Sequence, residues 1–116
     1  MIRISPLIAV CAMLATGQAL AQSQCERPAS VTIPDGASAT LDDMLEAQTG
    51  VREFLTTMET YLNCMNGIIE SATDETPAET LNAWIAEYNG AVGEMETVAA
   101  RFNEERVAYQ QANPSQ

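Results

Sequence analysis

Carboxylates are the only side chains abundant enough in this chain to suggest a chemical site. Four groupings stand out: Asp42-Asp43, Asp74-Glu75, Glu94/Glu96 and Glu104-Glu105. Paired carboxylates can act as general acid and base, and clusters of them bind calcium. None has the spacing of an EF-hand loop, and most project from outer helix positions, where a solvated charged face is the ordinary explanation. We therefore expect no catalytic and no metal-binding residue. A cation site at the Asp74-Glu75 turn is the alternative.

The composition of the chain argues against most other catalytic chemistry. Its 116 residues include no histidine, which excludes Ser-His-Asp and Cys-His catalysis and imidazole metal sites. The sequence has no phosphate-binding loop, dinucleotide fingerprint or nucleophile elbow. A formal charge of −11 without a single lysine disfavours nucleic acid and anionic membrane surfaces as partners. These features predict a protein that is not an enzyme and needs no cofactor. An enzyme working through carboxylates alone is a weaker alternative, which would need two buried carboxylates facing one pocket.

The first 21 residues have the pattern of a secretory signal peptide. Arg3 supplies a positive start, an apolar segment follows from Leu7 to Leu14, and Ala19-Leu20-Ala21 matches a cleavage site. The apolar segment is too short to span about 30 Å of hydrocarbon. We predict a cleaved signal over residues 1–21 and a periplasmic or secreted protein. A lipoprotein attached through Cys11 is the weaker alternative.

Two cysteines, Cys25 and Cys64, remain after the predicted cleavage. In an exported protein such a pair is typical of one disulfide. A redox pair or thiolate metal site would be expected to show a C-x-x-C spacing or other soft ligands, and the chain has neither. A disulfide between two copies of the chain remains open.

The pattern of apolar residues predicts two long helices after an extended segment. Residues 22–40 contain Pro28 and the turn Pro34-Asp35-Gly36, so they are predicted as an extended N-terminal strap. A first helix is predicted over residues 41–70, with Thr40 as its N-cap. Its apolar stripe is expected to follow Leu41, Met44, Gln48, Val51, Leu55, Met58, Leu62, Met65 and Ile69, widened on one side by Ala47, Phe54, Tyr61 and Ile68.

A second helix is predicted from Thr76-Pro77-Ala78-Glu79, where Thr76 would be the N-cap and Glu79 the partner in a capping box. It must stop before Asn113-Pro114, and residues 113–116 are predicted to be disordered. Two helices joined by a short turn are neighbours and antiparallel. The register then sets Ile69 near Leu81, Leu62 near Tyr88 and Leu55 near Met95. Gly90 and Gly93 are expected to allow close backbone approach opposite Met58 and Leu55.

The reach of the strap is compatible with an intramolecular disulfide. Cys64 lies about 35 Å along the first helix from Leu41, and an extended chain from Leu41 back to Cys25 reaches up to about 50 Å. The strap can therefore fold back along the helix and cover the flank that carries Phe54 and Tyr61. The predicted fold class is all-α: a coiled-coil-like antiparallel two-helix hairpin over residues 41–112 with a strap tied by one disulfide.

Several short motifs resemble those of a group of short, uncharacterised exported proteins of Gram-negative bacteria. The motifs are Cys25 with Pro28 and Pro34-Asp35-Gly36, then Tyr61-Leu62-Asn63-Cys64, then Arg101-Phe102-Asn103. The resemblance implies a periplasmic or secreted helical hairpin, and it carries no activity and no functional residue.

The remaining candidate site is an aromatic and methionine-rich stripe. Its aromatic members form the predicted interaction face: Phe54, Tyr61, Trp84, Tyr88 and Phe102. Packing between the helices explains most of the stripe, but two helices cannot bury all of two broad apolar faces. We therefore expect a protein that acts by protein–protein contact, either with itself or with an envelope partner. The alternative is an acidic periplasmic binding module for cations, basic peptides or unfolded clients.

Overall fold

Two antiparallel helices and an N-terminal strap make up the part of the protein that the computed structural model describes, residues 25–115. Helix α1 spans Leu41–Glu70 and helix α2 spans Ala78–Ala112, and no strand occurs within this range. The helices pack against each other, and a disulfide joins Cys25 to Cys64. The predicted fold class is therefore confirmed. The predicted signal peptide, residues 1–21, lies outside the described residues, as does the last residue of the predicted C-terminal segment.

Helix α1 begins at the residue that its sequence signals predict. The Thr40 hydroxyl accepts a hydrogen bond from the Asp43 N–H (3.1 Å), and the Asp43 carboxylate accepts one from the Thr40 N–H (2.9 Å). These two bonds form a capping box, which satisfies N–H groups that have no partner inside the helix. The hydrogen bond from the Thr40 N–H, with a smaller contribution from the Thr40 side chain, stabilises the charged carboxylate and lowers the pKa of Asp43 below its ordinary value.

Helix α2 begins differently from the prediction. Pro77, not Thr76, is its N-cap, and no side chain caps the helix. The Thr76 hydroxyl instead accepts a hydrogen bond from the Thr73 N–H (3.0 Å) within the turn between the helices. The predicted capping box of Thr76 and Glu79 is therefore wrong, because the turn uses the threonine for its own backbone. The helix ends at Ala112, before Pro114, as predicted.

The buried side of α1 is rotated from the centre of the predicted stripe. Its buried residues are Met44, Ala47, Val51, Phe54, Met58, Tyr61 and Met65. Leu55, Leu62 and Ile69 are only half-buried, and Leu41 is 51% exposed. These seven buried residues are all apolar and are spaced alternately three and four positions apart. The centre of the predicted stripe passed instead through the polar Gln48. The rotation follows from the strap, which packs on the flank that carries Phe54 and Tyr61.

The strap runs from the turn end of the hairpin to its open end. Cys25 is buried in the core cluster, and Val31 and Ile33 pack against that cluster. The chain then turns at Asp35, whose backbone oxygen accepts from the N–H groups of Ser38 (3.1 Å) and Ala39 (2.9 Å). It enters α1 at Leu41, so the strap is antiparallel to α1 and parallel to α2. One side of the hairpin is covered in this way.

Candidate interaction face

The disulfide fixes the first residue of the described strap against α1. The Cα atoms of Cys25 and Cys64 are 5.8 Å apart, and Cys25 is buried among the core residues. Next along the strap, the Arg27 guanidinium contacts two carboxylates of α2. Its Nη2 donates to Glu94 Oε2 (2.7 Å) and its Nη1 to Glu87 Oε2 (3.3 Å). The strap is thus covalently joined to α1 through Cys25 and, two residues later, ion-paired to α2 through Arg27.

Tyr61 extends this cluster from the core to the surface. Its ring is buried, and its hydroxyl donates to the Glu87 oxygen that also accepts from Arg27 (3.3 Å). Burial raises the pKa of Tyr61 above its ordinary value, and the charge of Glu87 acts in the same direction. The hydrogen bond with Glu94 is the main cause that raises the pKa of Arg27. The contact between Tyr61 and Glu87 agrees with the predicted register, which sets Leu62 near Tyr88.

Two glycines make room for the strap. A Cβ atom on Gly36 would overlap the backbone oxygen of Glu105, and the Gly36 N–H donates to Glu105 Oε2 (2.7 Å). A Cβ on Gly50 would lie 3.1 Å from a methyl carbon of Val31. The close approach expected at Gly90 and Gly93 is not present, since a Cβ on either would meet nothing within 4 Å. That expectation is wrong because the close approaches lie between strap and helices, not between the two helices.

The predicted interaction residues fall into two groups. Phe54 and Tyr61 are each 5% exposed and belong to the core beneath the strap. Trp84, Tyr88 and Phe102 are half-buried and pack against that core from α2. Surface available to a partner therefore remains on α2 and not at the two aromatic residues of α1.

The side of the hairpin away from the strap carries half-buried apolar side chains, and we call it the open face. In α1 the strap contacts the flank of Gly50 and Cys64, whereas Leu55 and Leu62 lie well around the helix from it. In α2 the strap binds Glu87 and Glu94, whereas Tyr88 and Met95 follow these residues by one position and so lie about 100° around the helix from them. The open face consists of Leu55, Leu62, Ile69, Leu81, Tyr88, Met95 and Phe102, with the exposed Leu45 and Ile85 (51% and 39%) at its edges.

Three of the carboxylates considered above have structural partners. Asp43 caps α1, Glu94 binds Arg27, and Glu105 accepts from Gly36. The Glu75 N–H donates to the Thr73 hydroxyl (3.3 Å) in the turn between the helices. Within residues 25–115 there is no group of three or more acids or cysteines placed to hold a metal ion. Asp43, Glu94 and Glu105 thus stabilise the cap of α1 and the attachment of the strap.

Comparison with known proteins adds no relative to this picture. No family model matches the chain, and neither a curated protein nor a solved structure is significantly similar to it. Neither α1 nor α2 is apolar enough over a sufficient length to cross a membrane.

Proposed function

We propose that the protein is exported and acts without catalysis, by binding another protein through the open face. The observation that carries the proposal is the asymmetry of the hairpin. The strap covers one side of the hairpin, whereas apolar side chains of both helices stay partly exposed on the other. Contiguous exposed apolar surface on a small protein is typical of a contact site. The predicted signal peptide and the disulfide both fit an oxidising compartment outside the cytoplasm.

A binding module for cations, basic peptides or unfolded clients is the second candidate. The chain carries sixteen acids against five arginines, and most of these acids are exposed. Attraction between these acids and a positively charged ligand weakens as salt screens the charges, whereas an apolar contact does not weaken. Salt dependence therefore separates the two candidates.

Site-specific photo-cross-linking in the exporting cell tests which surface meets a partner. A photoreactive residue at Ile85 would sit at the edge of the open face. A control at Ala83 is exposed on the same helix but points about 200° away. We expect a cross-linked product of discrete mass from Ile85 and none from Ala83. Equal products from both positions, or none from Ile85, would overturn the proposal. A salt-sensitive product from Ala83 alone would favour the acidic binding module.

A further inference from the structure

We infer that the partner of the open face is a second copy of this chain, related to the first by a two-fold axis parallel to the helices. This inference rests on the proposed function, because it names the protein that the open face binds. Such an arrangement makes a four-helix bundle in which all neighbouring helices are antiparallel. Three features of the open face carry the inference: its layers, its charge and the residues at its edges.

The apolar layers of the open face are complementary to themselves. Leu62 and Tyr88 form one layer and Leu55 and Met95 the next, according to the register that the contact between Tyr61 and Glu87 supports. A two-fold axis parallel to the helices keeps every layer at its own height. Each layer therefore meets its own copy, as an isologous interface requires.

The charge of the face fits a second copy better than a basic partner. After removal of residues 1–21 the chain has four arginines against sixteen acids, so its net charge is −12. A basic partner would bind where those acids are concentrated. The layers of the open face contain no acid, so two copies can meet there with the least repulsion between them.

The edges of the face carry complementary charges at matching heights. Arg52 is exposed, has no ion pair within residues 25–115, and lies one turn from Leu55 at the α1 edge. Glu96 is exposed and follows Met95 at the α2 edge. Because Leu55 and Met95 share a layer, a two-fold copy brings Arg52 of each chain close to Glu96 of the other. Because of the two-fold symmetry, this pair of Arg52 and Glu96 forms twice in the dimer.

Light scattering after gel filtration, over a wide concentration range, tests the inference. The sample is the oxidised protein purified after expression of the full chain. We expect a dimer whose dissociation constant falls or stays constant as salt is added, since screening reduces the repulsion between two acidic chains. The substitution Arg52→Glu should raise that constant about tenfold or more. Adding Glu96→Arg in the same chain should restore it.

The matched control is Arg101→Glu, which makes the same change in net charge on the strap side. Arg101 is exposed and, within the described residues, has no ion pair. A protein that stays monomeric at every concentration overturns the inference. A dimer that Arg52→Glu and Arg101→Glu weaken equally overturns it as well. If the protein is monomeric but Ile85 cross-links to a different protein in the cell, the proposed function stands and only the second copy is wrong.

Discussion

Gly36 brings the backbone of the strap close to the backbone of α2. Neither it nor any other glycine in residues 25–115 has a positive φ, so backbone conformation is not the reason for glycine here. The reason is space, because the backbone of Glu105 occupies the position that a Cβ atom would take. The same glycine donates its N–H to the Glu105 carboxylate. The packing of the strap against α2 thus requires a residue without a side chain at position 36, near the C-terminal end of the strap.

The substitution Gly36→Ala should therefore destabilise the protein by about 2 kcal/mol, the usual cost of forcing extra volume into a packed site. Gly67→Ala is the matched control, because a Cβ atom there meets nothing within 4 Å. Since alanine is the better helix former, Gly67→Ala should stabilise the protein by up to about 1 kcal/mol. Chemical denaturation of both variants measures the difference. A Gly36→Ala variant as stable as the wild type would contradict the close contact.

Tyr61 makes the stability of the fold sensitive to alkaline pH. Its pKa is raised in the folded protein, mainly by burial, so the unfolded chain releases the proton at lower pH than the folded chain. The corresponding stability is fully present below pH of about 10 and is lost as the pH rises through the higher folded pKa.

The substitution Tyr61→Phe should remove this loss of stability at alkaline pH. We expect the wild type to be more stable than Tyr61→Phe at neutral pH, since the hydrogen bond to Glu87 is absent from the variant. The difference in the free energy of unfolding should shrink as the pH rises above about 10. Denaturation of the two oxidised proteins across this range provides the measurement. A constant difference at all pH values would show that the Tyr61 hydroxyl is not perturbed.

The strap is the element that determines which side of the hairpin is closed. Its position could be predicted in part from the sequence, because chain length and the two cysteines limit where residues 25–40 can lie. The limits of α1 and the end of α2 also follow from local signals, namely the Thr40 cap, the apolar periodicity and Pro114. These features depend on residues close together in the chain.

Contacts between distant residues could not be predicted in the same way. The pairing of Arg27 with Glu94 and of Gly36 with Glu105 joins positions more than 60 residues apart. The rotation of the α1 core toward Phe54 depends on where the strap packs, because periodicity alone leaves two neighbouring lines of apolar residues equally suitable. The roles of Gly36 and Gly50 follow from the same packing.

Removal of the disulfide tests how much the attached strap contributes to the free energy of unfolding. The bond closes a loop with a sequence separation of 39 residues, so the double substitution Cys25→Ala and Cys64→Ala should lower the free energy of unfolding by about 4 kcal/mol. Chemical reduction of the wild type should give a similar loss. We expect Tyr61 to become more accessible in the variant, which its fluorescence and solvent perturbation would report. A variant that unfolds at the same denaturant concentration as the oxidised wild type would contradict this role of the strap.

At the scale of the whole molecule, the hairpin has a closed side, which the strap covers, and an open side, which is the open face. The closed side contains the disulfide, both ion pairs found in residues 25–115 and the Gly36 contact. The open side contains half-buried apolar residues and few charges. Because most of the sixteen acids are exposed on the other surfaces, repulsion between two copies should be weakest at this one. The proposed contact function follows from this division.

Oxidation of the methionine side chains by peroxide, followed by mass spectrometry, tests the division most directly. Met44, Met58 and Met65 are buried, whereas Met95 is half-buried on the open face. At low protein concentration Met95 should be oxidised first and the other three slowly. At high concentration, where a second copy covers the open face, Met95 should become protected while the rates of the others stay unchanged. Met58 oxidised as fast as Met95 at low concentration would contradict the account of a closed and an open side.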